Sequence, residues 1–505
     1  MLRLLDLPNE VLDITFGNLR QPELYSLCLV CRRTYASAKP HLYRDVSITD
    51  RKDFAGTGTL NKLRSFLLTI WRNPKLAESV TSLKMLDAPN RTSPKLRTEA
   101  DWQALKPYTP FPAPGDEHDR IVCEDLVALN DNELVKHVDF VKDPRGAEFM
   151  RTHLSANSRC GLLGLILNRL NSRVTTLRID IERNTAGSKM DPPINPTTGC
   201  TQDFVNAKDV TVRGHQAFTR NLVPIVQGDG YAWMPALQSL IFDNLVINDL
   251  SLKRGEKYAG LEHLTITNCT LDFDFSNILT PNLRSLAIEN CTYSRSEVRN
   301  GPLVQDWPCK ESIESLTITE SDIHASGTFA GFTNLKYLSI DTVPWLATTI
   351  NMDRVRNLET LLPEGLIGLH LGNCFMDEFP PSVRVCKVVE EQMLALLASR
   401  NDGSHPDLEF VEISVNGRHD GRRHTPPKRQ MKLREKLQKA FRDAGPIENS
   451  NGQLVEIFFT MLCSCVWDCK HVELVTGISA EQMQASCWLA QEPTFKRAGV
   501  AVPAA

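Results

Sequence analysis

The sequence predicts an α/β chain: a short helical module at the N-terminus, an irregular solenoid of parallel strands, and a helical C-terminal cap. Three observations predict it. One apolar spacing recurs through the middle of the chain, stretches rich in Pro, Thr and Gly interrupt it, and amphipathic segments of helical period flank it. At 505 residues the chain exceeds what one compact core accommodates, so it must form several domains or one elongated repeat array.

The recurrence is clearest in "LEHLTITNCTL", from Leu261, and "LRSLAIENCTY", from Leu283. The same spacing fits Leu237/Leu240/Phe242/Leu245/Ile247, Ile313/Leu316/Ile318/Ser321/Ile323, Leu335/Leu338/Ile340 and Leu366/Leu369/Leu371/Cys374/Met376. Looser matches start at Val80, Val174 and Leu408. Successive starts from Leu237 to Leu366 are 24, 22, 30, 22 and 31 residues apart. Positions 4 to 6 of each unit alternate apolar, polar, apolar, the period of a strand with one face buried. Position 9, Cys269, Cys291 or Cys374 in three units, turns a small side chain inward, which makes these cysteines structural. One unit cannot bury its own apolar face, whereas a stack buries a continuous core. The pattern and its length resemble the leucine-rich repeat.

Stacked strands would line one concave face with positions 3, 5 and 7. Its candidate target-binding residues are His263, Thr265, Thr267, Ser285, Glu289, Thr317, Thr319, Tyr337, Asp341 and His370. This is a small, hydroxyl-rich surface without an Arg cluster, suited to gripping another protein. Residues 88–120 and 181–202 read as inserted loops, and 416–430 as a basic Pro-containing loop. "MKLREKLQKAFRDAG" has helical spacing with Gly445 as its stop. Gln453 to Val466 reads as a second, more apolar helix, completing the cap.

The N-terminal stretch "LPNEVLDITFGNLRQPELYSLCLVCRRTYASAKPHLYRDV" starts at Leu7. Pro8 suits a helix start and Glu10 the positive end of the dipole. Val11, Leu12, Phe16 and Leu19 follow at helical intervals; a second helix carries Leu24, Leu27, Cys28 and Val30; a third runs until Lys39-Pro40 breaks it. So small a segment makes little core alone, and its apolar surface awaits a partner or the following solenoid.

This stretch resembles the F-box, the helical module that docks on the Skp-type adaptor of cullin–RING (SCF) ubiquitin ligases. Followed by repeats, the chain resembles F-box/leucine-rich-repeat substrate receptors of fungal type. Carried over residue by residue, the resemblance implies adaptor binding by Leu7, Pro8, Val11, Leu12 and Phe16 in the first half, and by Leu24, Leu27, Val30, Cys31 and Arg32 in the second. Leu7, Leu12 and Phe16 would dominate the docking energy. Thr15 departs from the apolar residue usual before the Phe, and Tyr35 stands for the usual Trp. The implied domains are 1–46, the F-box; 47–430, the solenoid; and 431–505, the cap.

Searching for chemistry yields no nucleophile elbow, metalloprotease helix, phosphate loop or dinucleotide fingerprint, so the reading is non-catalytic, with no cofactor. Cys463, Cys465, Cys469 and His471 invite a metal. On a helix, however, they could not converge, and they read as buried apolar groups. A net charge of −4 and the absence of any apolar run of ~20 residues argue against nucleic-acid and membrane partners. Fourteen cysteines without a secretory leader indicate reduced thiols, in cytoplasm or nucleus. The expected function is a substrate receptor of an SCF-type ligase for an unidentified target. The alternative is a repeat scaffold acting outside any ligase.

Overall fold

The computed structural model describes residues 7–50, 66–67, 69–87, 166–167, 169–170, 172–181, 205–214, 234–247, 260–271, 279–293, 306–319, 321, 328–341, 357–372, 383–415 and 428–463. Three helices come first, α1 (Asn9–Gly17), α2 (Gln21–Cys28) and α3 (Arg32–Arg44), and α3 runs directly into strand β1 (Asp45–Asp50). Then follow α4 (Pro74–Ser79), β2 (Ser82–Asp87), β3 (Thr176–Ile181), β4 (Asp209–Gly214), β5 (Ser239–Asp243), β6 (Val246–Ile247), β7 (His263–Thr267), β8 (Thr270–Leu271), β9 (Ser285–Glu289), β10 (Thr292–Tyr293), β11 (Ser315–Thr319) and β12 (Tyr337–Asp341). The last elements are α5 (Leu358–Leu361), β13 (Gly368–Gly372), α6 (Val383–Asn401), β14 (Phe410–Val415), α7 (Lys428–Asp443), β15 (Ile447–Glu448), β16 (Leu454–Val455) and β17 (Phe458–Cys463).

Twelve of these strands form an all-parallel sheet whose order follows the sequence, the arrangement expected of a repeat solenoid. The chain divides into two compact units, Met1–Phe273 and Asp274–Ala505, each carrying six of the twelve. Within the first unit the register sets Leu83, Leu177, Val210, Leu240 and Leu264 side by side. Met85, Ile179, Val212, Phe242 and Ile266 form a second buried row. In the second unit Leu286, Leu316, Leu338, Leu369 and Val411 make the same ladder, with Ile288, Ile318, Ile340, Leu371 and Ile413 beside it. These rows are positions 4 and 6 of the sequence repeat. Neighbours paired in parallel are joined by crossovers, since a tight hairpin can join only antiparallel strands.

The turn after the strand has a cause the spacing left unnamed. Asn244, Asn268 and Asn290, all at position 8, adopt φ of 56°, 55° and 49°. Asparagine tolerates this left-handed conformation better than other residues with a Cβ. The chain then drops inward to buried Leu245, Cys269 and Cys291 at position 9, with the Cys269 thiol donating to the Thr267 carbonyl oxygen at 3.1 Å. Gly214 ends β4 where a Cβ would collide with the Asn244 carbonyl oxygen. The Asn244 side chain closes that approach with Nδ2 donating to the Gly214 oxygen at 2.8 Å.

Two expectations are overturned here. Where a helix was predicted over Gln453 to Val466, the chain forms strands β16 and β17 as far as Cys463: β17 pairs in parallel with β14, Phe458 beside Phe410. Phe458-Phe459-Thr460 favours extended chain, and pairing with β14 supplies hydrogen bonds that an isolated helix would lack. The cap keeps the other predicted helix, α7, which buries Leu433, Leu437 and Phe441, sets Phe441 4.8 Å from Phe459 between ring centroids, and precedes Gly445 at φ 65°. Secondly, Pro40 does not end α3, which continues to Arg44. The lost hydrogen bond is outweighed because Ala38 and Leu42, on either side of Pro40, pack into the helical core.

The fourth strand, β4, was not recognised in the sequence because Ala207, just before it, takes the place of the large residue at the first position of the repeat unit. The candidate loops 88–120 and 182–202 lie outside the described residues, as do 416–427 of the basic loop and the repeat residues Ile323, Cys374 and Met376. Among the described residues no helix is long and apolar enough to cross a membrane.

Candidate functional site

The N-terminal helices are built by local rules. The Pro8 carbonyl accepts from Val11 and Leu12 N–H at 3.1 and 3.0 Å, starting α1. Glu23 caps α2 by accepting from the Arg20 N–H at 2.9 Å. Cys31 caps α3: its N–H donates to Thr34 Oγ1 at 3.1 Å, and its sulfur accepts from the Thr34 N–H at 3.5 Å. Arg33 then ties α3 back to the chain start, donating to the Leu7 carbonyl at 2.7 Å and to Asn9 Oδ1 at 3.1 Å.

These helices have a core of their own. Leu12, Phe16, Leu24 and Ala38 are buried, with Leu7, Leu19, Leu27, Cys28 and Leu42 packed against them. The expectation that Leu12 and Phe16 lie exposed as docking anchors is therefore corrected: they hold α1 to α3, and Leu24 does the same from α2. Leu7 and Leu27 sit at the edge of this core, Cys31 serves as a cap, and Pro8, Val11, Val30 and Arg32 are exposed. Six large side chains form the outer surface, of which the F-box resemblance selects only Val11 and Val30. Ile14 and Leu29 are each 70% exposed and Val30 is 65% exposed, with Val11, Tyr25 and Tyr35 also open to solvent. Val11 and Ile14 stand three residues apart on one face of α1. Leu29 and Val30 occupy the bend between α2 and α3. For Ile14 the signal was present in the sequence: an apolar residue off the Leu12/Phe16 stripe of α1.

The outward strand face differs between the two units. In the first, His263, Thr265 and Thr267 are half-buried. In the second, Glu289, Thr319 and Tyr337 are half-buried, whereas Ser285, Thr317 and Asp341 are buried. The open, hydroxyl-rich surface expected over β9 to β14 is largely closed. Its polar groups interact along the sheet. Ser339, His370 and Glu412 stand abreast in register on β12, β13 and β14, with Ser339 Oγ 2.6 Å from His370 Nδ1 and Glu412 Oε1 3.6 Å from His370 Nε2. Burial pulls the His370 imidazole down to about 4 and pushes the Glu412 carboxyl up to about 7. The residue types are those of a hydrolytic triad, but the 3.6 Å separation is too long for the orienting hydrogen bond such chemistry needs. The row is a polar ladder inside the fold.

Among the described residues no group of three or more His, Cys, Asp and Glu side chains is placed to hold a metal. Cys463 lies on a strand, so the helical argument against convergence of the cysteine cluster does not apply to it, and Cys465, Cys469 and His471 lie outside the described residues. Compared with protein-family models, the chain matches none. It matches no curated protein either.

Proposed function

We propose that the chain is a non-catalytic substrate receptor: its N-terminal helices dock on a Skp-type adaptor of a cullin–RING ubiquitin ligase, and its strand face holds a target protein. The reading rests on the resemblance of residues 7–46 to the F-box. One structural observation carries it further, namely that a helical module with its own packed core leaves Val11, Ile14, Tyr25, Leu29, Val30 and Tyr35 exposed. A monomer gains nothing from six large apolar side chains in water, and a partner that covers them gains their burial. Docking of this kind is apolar-anchored helix recognition.

The receptor contributes geometry. A target held beside the ubiquitin-charged conjugating enzyme meets the reactive thioester at raised effective concentration. The bond-making residues then belong to other subunits, and the chain needs no cofactor. The compartments consistent with this role are cytoplasm and nucleus.

Co-purification tests the proposal. The intact chain is expected to bring down a Skp-type adaptor and a cullin, and an Ile14→Asp/Val30→Asp variant is expected to lose both while keeping its helical content. Failure of the intact chain to recover the adaptor overturns the proposal and leaves the repeat scaffold as the reading.

A further inference from the structure

The strands that sequence reading matched loosely or missed bring three cations together on the outward face of the first unit. Lys84 on β2 stands directly opposite Arg178 on β3 in the parallel register. Arg213 lies on β4, one outward position further along the neighbouring strand. Adjacent strands are ~4.8 Å apart, so the three charges occupy a short diagonal across three strands. They are 94 and 35 residues apart in sequence, which is why no linear motif announces them.

The two arginines are held in a particular way. Arg178 Nε reaches the Asp180 carboxylate at 3.4 Å, and that aspartate is buried. Arg213 Nε reaches Asp243 Oδ2 at 2.9 Å, while Asp243 Oδ1 accepts from the Thr267 hydroxyl at 3.1 Å and from Asn268 Nδ2 at 2.9 Å. Arg213 is thus held through its inner edge and Arg178 more loosely, and among the described residues their terminal amino groups have no partner. The side chains are 31% and 40% exposed. Lys84 is exposed and makes no hydrogen bond or ion pair with a described residue. Asp180 and Asp243 are already engaged. The exposed carboxylates nearby, Asp45 and Asp209, lie at the opposite, leading ends of their strands, so the diagonal leads away from them.

We infer that this diagonal is the docking site for an acidic segment of a partner protein, a run of Glu or Asp side chains laid across β2, β3 and β4. A guanidinium held by its Nε presents two parallel N–H donors that match a carboxylate, and little side-chain entropy remains to be lost on binding. Lys84 adds an adaptable third charge. The inference depends on the strand face being the surface that holds the target, and it gives that target a chemistry.

The test is fluorescence anisotropy of a labelled decapeptide of alternating Glu and Gly, titrated with the full-length chain at two salt concentrations. Saturable binding is expected that weakens with salt, at least tenfold weaker in Lys84→Glu and in Arg178→Gln/Arg213→Gln, and absent with the Gln-for-Glu peptide. Lys84 has no described contact to lose, so its variant remains folded even if removal of the arginines disturbs Asp180. No binding by the Glu peptide, equal binding by the Gln peptide, unchanged affinity in Lys84→Glu, or binding confined to a phosphoserine peptide each overturns the inference. A chain that captures the adaptor but ignores the Glu peptide refutes this inference alone. One that binds the peptide without the adaptor refutes the ligase reading alone.

Discussion

Leu12 and Leu29 are both leucines of the N-terminal helices, and the structure predicts opposite consequences for their replacement. Leu12 is completely buried among Phe16, Leu24 and Ala38. Leu12→Ala truncates one of the four buried apolar residues of this core and leaves a cavity that so small a core cannot fill, at a cost of about 3 kcal/mol. Leu29 and Val30 are mostly in water, so replacing both by Asp changes stability by no more than about 0.5 kcal/mol. Covered by a partner, however, each contributes about 1–2 kcal/mol, and their joint loss weakens docking by roughly 100-fold. The assay pairs adaptor affinity by calorimetry with amide hydrogen exchange over residues 9–44. Leu12→Ala is expected to speed exchange throughout the helices, whereas Leu29→Asp/Val30→Asp leaves exchange unchanged and weakens docking by that factor. If the double Asp variant binds within threefold of the parent, the exposed residues are not the docking surface and the argument fails.

The buried ladder makes stability depend on pH. Glu412 titrates near 4.5 when unfolded and at about 7 when folded, so its contribution is full below about 4.5 and is lost as pH rises through 7. Glu412→Gln is expected to stabilise the chain by about 2 kcal/mol more at pH 8 than at pH 5, read from urea midpoints. His370 acts in the other direction: with a folded value of about 4 against 6.5, it takes stability away as pH falls from 6.5 toward 4, and His370→Gln should flatten that acid limb. Arg400 is buried in α6, donating from Nε to the Leu408 carbonyl at 3.0 Å and from a terminal nitrogen to the Val455 carbonyl at 2.7 Å. Arg400→Met leaves the buried Leu408 and half-buried Val455 carbonyls without this donor and is expected to cost about 3 kcal/mol, with β16 and its neighbours exchanging first. Gly214→Ala forces a methyl group into the Asn244 carbonyl and should lower the thermal midpoint, whereas Gly365→Ala, where a Cβ meets nothing, should not.

The strand ladder was legible in the sequence because it depends on local periodicity. Leu240 with Phe242 and Leu264 with Ile266 point to the core whatever their neighbours do, since side chains along a strand alternate in direction. The three N-terminal helices were legible for the same reason. Which of their apolar residues would be spent inside was not: Leu12 and Leu29 are equally greasy, and only the packing of α1 against α3 decides that one is core and the other surface. Gln453 to Val466 was misread because its apolar run fits a buried helix or a strand, and the choice was made by the unpaired edge of β14. The diagonal of Lys84, Arg178 and Arg213 is likewise a property of register. By itself the sequence determined which strand positions must be buried. The tertiary structure decided what each segment leaves exposed and beside which distant residue, because burial follows from local pattern whereas proximity between strands is set only when the whole sheet has paired.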